Sequence, residues 1–391
     1  MNIPELIYTF KAHFGMQPTL FFRAPGRVNL LGEHVDYNKG SVLPAAIDRA
    51  VYLAATPNNS RIVQLYASDI GAEISFSLER LDQKKDLSGH PLPGWALYPA
   101  GVSWALQKGG MEIQGMQAVY SSDVPIGAGL SSSAAIEMVF AVAWQTLGGW
   151  AAERMTLAQL CQKAENEYVG VACGLMDQFA SAHGVAGHAL YFDTRSLDWE
   201  PIPLPQDTVL VVADSGVRRS LTDSAYNERR AACEKAVEIL RQDLPHIQSL
   251  RDVSPAEFNK FHQNLPPTVR QRAEHIIDEI ERVHSAVTAL RKEDKETFGA
   301  LMFAGHSSLR DLYGVSTPEL DSLVEIAREL TGCIGARLTG AGFGGSTINL
   351  VEGTNSEDFI QGLEEGYLRK TGRAAKVYLC KTSQGAGQIN L

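Results

Sequence analysis

At 391 residues the chain is too long for one ordinary core and predicts two or three domains. An apolar fraction of 45% and a charged fraction of 20% are those of a soluble globular protein, while a net charge of −10 excludes general nucleic-acid binding, which needs a basic face. Five scattered cysteines (Cys161, Cys173, Cys233, Cys333 and Cys380) form no C-x-x-C pair, which argues against a disulfide framework or a zinc site and fits a reducing compartment.

The opening run, Met1 to Phe14, is amphipathic, with Glu5 and Lys11, and lacks the apolar core of a signal peptide. No stretch approaches the roughly 20 apolar residues of a membrane helix. The expectation is a cytoplasmic protein with no membrane partner. Residues 4–14 predict a short helix. Leu20 to Pro25 then leads into Gly26–Gly40, where Arg27, Glu33, His34 and Asp36 fall within ten residues. Such a mixture of donors and acceptors in a loop suits a polyhydroxyl compound, and the alternative is a solvated surface loop. Residues 42–47, 51–54 and 62–67 predict strands, and 82–93 is polar and turn-rich. Residues 95–106 predict a helix carrying Trp95, Tyr98 and Trp104. One of these rings is placed to face an adenine, or all three belong to the core.

A strand over 117–124 precedes Pro125-Ile126-Gly127-Ala128-Gly129-Leu130-Ser131-Ser132-Ser133-Ala134-Ala135, and a helix over 136–147 follows. Glycines bring backbone close to a ligand, and a helix start favours an anion. Three hydroxyls there add donors for phosphate or a ligand for Mg²⁺. The reading is a nucleotide-phosphate cradle; the plainer alternative is a turn with a serine N-cap.

The next helix, 156–168, shows a capping-box signature in Thr156 and Gln159. Its inward face is Leu160, Cys161, Ala164 and Tyr168, and Glu165 falls on it. A carboxylate there is costly unless paired or bound to a cation, which makes Glu165 a candidate Mg²⁺ ligand unless it sits at the edge of the face. Asp177, among the small residues of 170–180, is either a general base or a cap. Strands follow at 189–193 and 209–214, with an irregular proline-rich stretch between them at 196–207. Helices are predicted at 220–240, 269–290 and 295–312. Thr317 and Pro318 start another as N-cap and first helical residue. Arg337 to Ser346 contains a literal G-x-G-x-x-G at Gly340, Gly342 and Gly345, but a strand pattern follows it, so a dinucleotide site is rejected. Such a run packs against another backbone, and the cradle at 125–135 is one partner for it.

Taken together, the motifs carry a resemblance. Gly26 to Asn38 resembles the signature of galactokinases. Pro125 to Ala135 resembles the ATP loop of the wider GHMP small-molecule kinase superfamily, and Leu338 to Gly345 its third motif. Order, spacing and length are similar from end to end, down to the tail at 383–387. The resemblance implies an α+β, two-lobed GHMP kinase fold of mixed sheets with helices. Lobes at 1–200 and 201–391 would flank a cleft holding ATP and sugar. It implies transfer of the ATP γ-phosphoryl group to the anomeric hydroxyl of α-D-galactose. Asp177 stands at the position of the catalytic base and Arg27 at that of the residue orienting it. Glu33, His34, Val35, Asp36, Gly174 and Tyr226 match the sugar-binding positions, though the Val35 side chain is unable to hydrogen-bond. Gly127, Ala128, Gly129, Leu130, Ser131, Ser132 and Ser133 match the ATP loop, with Ser68 and Trp95 as weaker nucleotide matches. Ser133 and Glu165 match the Mg²⁺ positions. There is no Walker A lysine and no H-R-D or D-F-G set. The alternatives are a related sugar 1-kinase acting on N-acetylgalactosamine or arabinose, and a catalytically silent galactose and ATP sensor. The intact cradle, Glu165 and Asp177 argue against the sensor. A monomer is the expectation.

Overall fold

The computed structural model describes residues 3–218 and 222–391; the first two positions of the helix expected from Ser220 lie outside them. Helix α1 (Ile3–Phe14) places Leu6 and Phe10 against the first sheet. Then come β1 (Leu20–Leu31), β2 (Ser41–Pro57), β3 (Ile62–Ala67), β4 (Ala72–Ser77), α2 (Gly94–Lys108), β5 (Met116–Ser122), α3 (Ser132–Gly148), α4 (Arg154–Lys163), α5 (Met176–His183), β6 (His188–Asp193) and β7 (Trp199–Pro203). The later part holds β8 (Thr208–Asp214), α6 (Thr222–Leu240), α7 (Pro255–Phe261), α8 (Pro267–Arg291), α9 (Lys295–Ser308), α10 (Pro318–Glu329), β9 (Cys333–Thr339), β10 (Ser346–Glu352), α11 (Ser356–Thr371), β11 (Lys376–Cys380) and β12 (Gly387–Ile389).

The first sheet runs β12-β1-β2-β5-β3-β4, with β6 and β7 continuing from β2. It is mixed, because β3 and β5 pair in parallel while the other pairs are antiparallel. The second sheet, β11-β8-β10-β9, is antiparallel throughout. The chain's tail returns to the first sheet, where Phe21 pairs with Ile389. Valine, leucine and isoleucine side chains of β1 and β2 (Val28, Leu30, Leu43, Ile47) meet Val283 and Val287 of α8, Met302 of α9, and Val212 and Ile348 of the second sheet. One apolar layer therefore joins the sheets, each full burial contributing about 1.5–3 kcal/mol.

Several expectations change. Residues 42–54 are one continuous strand, β2, because nearly every side chain is buried and no turn residue interrupts it. The stretch at 196–207 is not wholly irregular: β7 pairs with β6 from Phe192↔Trp199 to His188↔Pro203. Its prolines are tolerated because β7 is an edge strand. The capping box at Thr156 is absent. Helix α4 starts two residues earlier, with Glu153 as an N-cap whose side chain makes no cap bond. The helices expected to run to Tyr168 and Leu312 both end in π turns, Ala164–Val169 and Leu309–Tyr313, each closed by a left-handed glycine (Gly170, φ 98°; Gly314, φ 65°). Among the described residues, no helix is long and apolar enough to cross a membrane.

Candidate functional site

A cavity of about 250 Å³ is lined by β1 and the loop after it (Arg27, Glu33, His34, Asp36), the π turn and loop after α4 (Glu165, Cys173, Gly174), the start of α5 (Asp177), α6 (Tyr226, Asn227) and the β9–β10 turn (Gly340, Ala341). The pairing of β1 with β2 shifts register between Pro25 and Arg27 and again between Asn29 and Leu31. Such irregularities re-aim side chains, and here they free Arg27 to face the cavity. Its Nε and Nη2 each lie 2.8 Å from Asp177 Oδ1, and its Nη1 donates to the Gly129 carbonyl at 2.6 Å. Asp177 stands in the first turn of α5, and its second oxygen accepts from the Ser131 hydroxyl. Ser131 stands at the N-cap position of α3 but makes no side-chain cap bond: at φ 55° it spends its hydroxyl on Asp177 rather than on the helix.

Glu33 is buried. Its oxygens accept from Asn29 Nδ2 and the Gly340 N–H, both at 2.6 Å. Burial pushes its carboxyl up to about 7, against the pull of Arg337 and Arg27. His34 takes a left-handed backbone (φ 65°). Its Nε2 faces the Ala341 carbonyl at 3.1 Å, so that nitrogen carries the proton. Nδ1 then accepts from the Tyr37 hydroxyl at 2.9 Å, and Tyr37 in turn accepts from Tyr313 at 2.7 Å. Burial drives His34 down to about 4, which keeps the ring neutral. Asp36 rises to about 6, through burial and then through Asp177. A Cβ at Gly174 would overlap the Asp36 carboxylate, so only glycine lets the two loops meet. Tyr226 closes this wall, its ring 5.4 Å from those of His34 and Tyr37.

Val35 is the exception in its row. Its side chain is fully buried in the core and does not line the cavity, because the short 3₁₀ turn after it (Asp36–Asn38) points it away.

Gly127 and Gly129 line a neighbouring depression of about 310 Å³, facing Thr339, Ala341, Gly342, Phe343, Gly344 and Gly345. Ala128 and Leu130 bury their side chains and offer carbonyls. Ala128 accepts from the Ser346 hydroxyl at 2.7 Å, and Leu130 accepts from the Arg27 N–H at 3.1 Å. The cradle and the third glycine run are therefore direct neighbours. Ser132 and Ser133 open α3, half-buried. Ser68 and Trp95 line neither depression. Both pack beside β5, the strand feeding the cradle: Asp69, next to Ser68, accepts from the Ser121 hydroxyl at 2.6 Å, and the Trp95 ring lies 6.2 Å from Tyr120.

Glu165 is only 6% exposed and accepts from Gln178 Nε2 at 2.6 Å and from the Cys173 thiol at 3.1 Å. Burial raises its carboxyl, while a Ser133 hydrogen bond is among the contacts opposing the rise. An all-oxygen pair of hydroxyl and carboxylate fits a hard divalent cation. Reading the chain missed Glu137, whose carboxylate on α3 is fully buried and accepts from Gln178 Nε2 at 2.9 Å. Its signal was present as a lone carboxylate within the apolar run Ala134–Phe140. Also missed as site residues were Tyr313, Glu279 and Arg337, whose contacts are remote in sequence, and Tyr37, which links His34 to Tyr313.

Comparison with known proteins agrees with this geometry. Residues 8–57 match the galactokinase galactose-binding signature, 98–185 the GHMP kinases N terminal domain and 286–367 the GHMP kinases C terminal domain. A galactokinase of Roseiflexus sp. (strain RS-1) is 45% identical over 389 residues, covering 100% of this chain and 98% of that protein. One from Chloroflexus aurantiacus is 43% identical over 390 residues, covering 99% and 98%. The crystal structure of Lactococcus lactis galactokinase complexed with galactose superposes with a TM-score of 0.93 at 34% identity, covering 99% of this chain and 100% of that one. A mevalonate kinase at 20% identity shares the fold, with a TM-score of 0.66 and coverage of 93% and 99%. With the two-sheet fold, the glycine-rich cradle and full-length relatives at this identity, the chain belongs to the galactokinase family.

Proposed function

We propose that this enzyme transfers the γ-phosphoryl group of ATP to the anomeric hydroxyl of α-D-galactose. The observation that carries the reading is one cavity holding Asp177, its Arg27 partner and the polar wall of Glu33, His34, Asp36 and Tyr226, beside the glycine-lined depression.

Galactose is assigned to that wall, with Gly174 supplying backbone approach. The ATP phosphates are assigned to the loop from Gly127 to Ser133, and the base to the side near Ser68 and Trp95. Asp177 accepts the hydroxyl proton, and Arg27 holds it in place while bracing Gly129 of the cradle. Phosphoryl transfer demands this kind of positioning and charge neutralisation more than covalent chemistry. Ser133 and Glu165 are assigned to Mg²⁺, which when bound neutralises phosphate charge. The neutral His34, fixed as the Nε2–H tautomer, orients by hydrogen bonding and not by charge. The same reading divides the chain into lobes near residue 200 and places it in the cytoplasm as a monomer acting on small molecules alone.

The experiment is ADP release with Mg²⁺ against galactose, glucose, N-acetylgalactosamine, arabinose, mevalonate and homoserine, with NMR of the product. Galactose 1-phosphate from galactose is the expected outcome. Turnover confined to another sugar would overturn the substrate, and binding of galactose and ATP without turnover would overturn the activity.

A further inference from the structure

Three polar side chains meet in a buried cluster behind the cavity. Glu137 comes from α3, Gln178 from α5 and Glu165 from the π turn after α4. The amide of Gln178 spends both its protons on carboxylates, one on Glu137 Oε2 at 2.9 Å and one on Glu165 Oε2 at 2.6 Å. The Cys173 thiol donates to that same Glu165 oxygen. Two donors converging on one oxygen, Glu165 Oε2, set the rotation of its carboxylate. The cluster also carries two unpartnered buried atoms, Glu137 Oε1 and Gln178 Oε1, in side chains with no solvent exposure. Burying polar atoms without partners is costly, so a fold that needed only packing here would gain from apolar residues.

We propose that Glu137 and Gln178 are positioning residues for the divalent cation: Glu137 anchors the Gln178 amide, and the amide holds Glu165 in the rotation that meets the cation beside Ser133. The inference rests on the assignment of Glu165 as a cation ligand. Glu137 lies one helical turn beyond Ser133 on α3, so the helix that presents the hydroxyl also presents the anchor. Partners of this kind behind metal ligands typically change affinity by about 10–100-fold when removed.

The test is Mn²⁺ binding to the full-length protein with ADP present, followed by electron paramagnetic resonance, alongside galactose affinity and melting temperature. Glu165→Gln serves as the control. Gln178→Met removes the bridging donor, and Gln178→Asn shortens the amide so that it reaches one carboxylate at most. Glu137→Leu removes the anchor, and Glu137→Gln keeps an acceptor for the amide. Both Gln178 variants and Glu137→Leu are expected to weaken Mn²⁺ binding about tenfold or more, with Glu137→Gln within about threefold of wild type and galactose affinity little changed. If Glu165→Gln lowers Mn²⁺ affinity while folded Gln178→Asn and Glu137→Leu bind as wild type does, the positioning role is wrong and the ligand assignment stands. If Glu165→Gln itself binds Mn²⁺ normally, the ligand assignment falls and this inference with it. Should the Met and Leu variants fail to fold, Gln178→Asn decides by the same reading.

Discussion

A carboxylate that accepts from Arg27 and Ser131 at once has both oxygens engaged and a fixed orientation. Asp177→Asn keeps the shape but removes the charge and the proposed proton acceptor. Its turnover is expected to fall by at least about 10²–10⁴, with galactose binding still measurable by calorimetry. Unchanged turnover would refute the assignment. His275 shows the same economy in a supporting role. It lies buried between the Ser308 hydroxyl, 2.8 Å from Nδ1, and the Glu33 carbonyl, 3.4 Å from Nε2. Burial drives it down to about 3, well below an ordinary histidine. The unfolded chain therefore binds a proton that the folded chain refuses, and this residue's contribution to stability is lost as pH falls from about 6.5 toward that value. His34 and His183, both lowered to about 4, act in the same direction. Glu33 and Asp36, raised to about 7 and 6, act in the opposite one and lose stability as pH rises. His275→Gln removes one of these terms. The gap in melting temperature between the variant and wild type is expected to narrow from pH 7 to pH 5. A gap that stays constant or widens contradicts the sign.

Three loops meet at the site, and each holds a non-glycine residue in a left-handed backbone: His34 (φ 65°), with Lys39 (φ 60°) in the same loop, Ser131 (φ 55°) and Phe343 (φ 59°). Strain of this sort costs about 1–3 kcal/mol per residue and persists where surrounding contacts over-determine it. Two such contacts are testable. Gly340 (φ +83°) leaves so little room that an added Cβ would lie 2.9 Å from the Gly129 carbonyl of the cradle. Gly340→Ala is expected to raise the KM for ATP and lower kcat, measured by ADP release, because cradle and hairpin would have to separate. Behind the loop, the wholly buried pair Arg337–Glu279 spans 2.7 Å, and Glu279 also accepts from the Gly32 N–H at 2.8 Å. Removing Arg337 takes the buried cation from one Glu279 oxygen and leaves the carboxylate to Arg282 and the Gly32 N–H. Arg337→Met is expected to lower stability in urea unfolding, by less than the about 3–5 kcal/mol of a wholly unpaired buried charge because Arg282 remains, and to raise the KM for galactose more than it lowers kcat, since Gly32 precedes Glu33. The π turns belong to this scale as well. Each inserts an extra residue where a helix approaches the cavity, one at Glu165 and one at Tyr313.

At the scale of the molecule, the cavity takes residues from the first sheet, from α6 and from the hairpin of the second sheet, so a bound ligand ties these units together. Galactose at about 100 times its dissociation constant is expected to add about 2.7 kcal/mol to unfolding stability, read as a rise in melting temperature. A melting temperature unchanged by galactose at any concentration would mean that the folded protein does not bind the sugar. The parts legible from the chain alone were local. The glycine-rich stretches, the strand before and helix after the cradle, and the dense loop 26–40 follow from spacing and residue type over a few positions, which backbone sterics and helix electrostatics read directly. The rejection of a dinucleotide site at Gly340 held for the same reason: β10 follows the glycines and no helix does. What resisted reading was set by partners far along the chain. Thr156 carried a capping signature, but packing started α4 two residues sooner. Val35 lay among sugar-loop residues, yet its apolar side chain joined the core. Glu137, Gln178, Glu279 and Arg337 gained their meaning only when α3, α5, α8 and β9 converged. A sequence by itself determines which backbone shapes and local charges are available. Only the tertiary structure decides which buried polar groups find each other, because that pairing depends on desolvation shared between segments 41 to 307 residues apart.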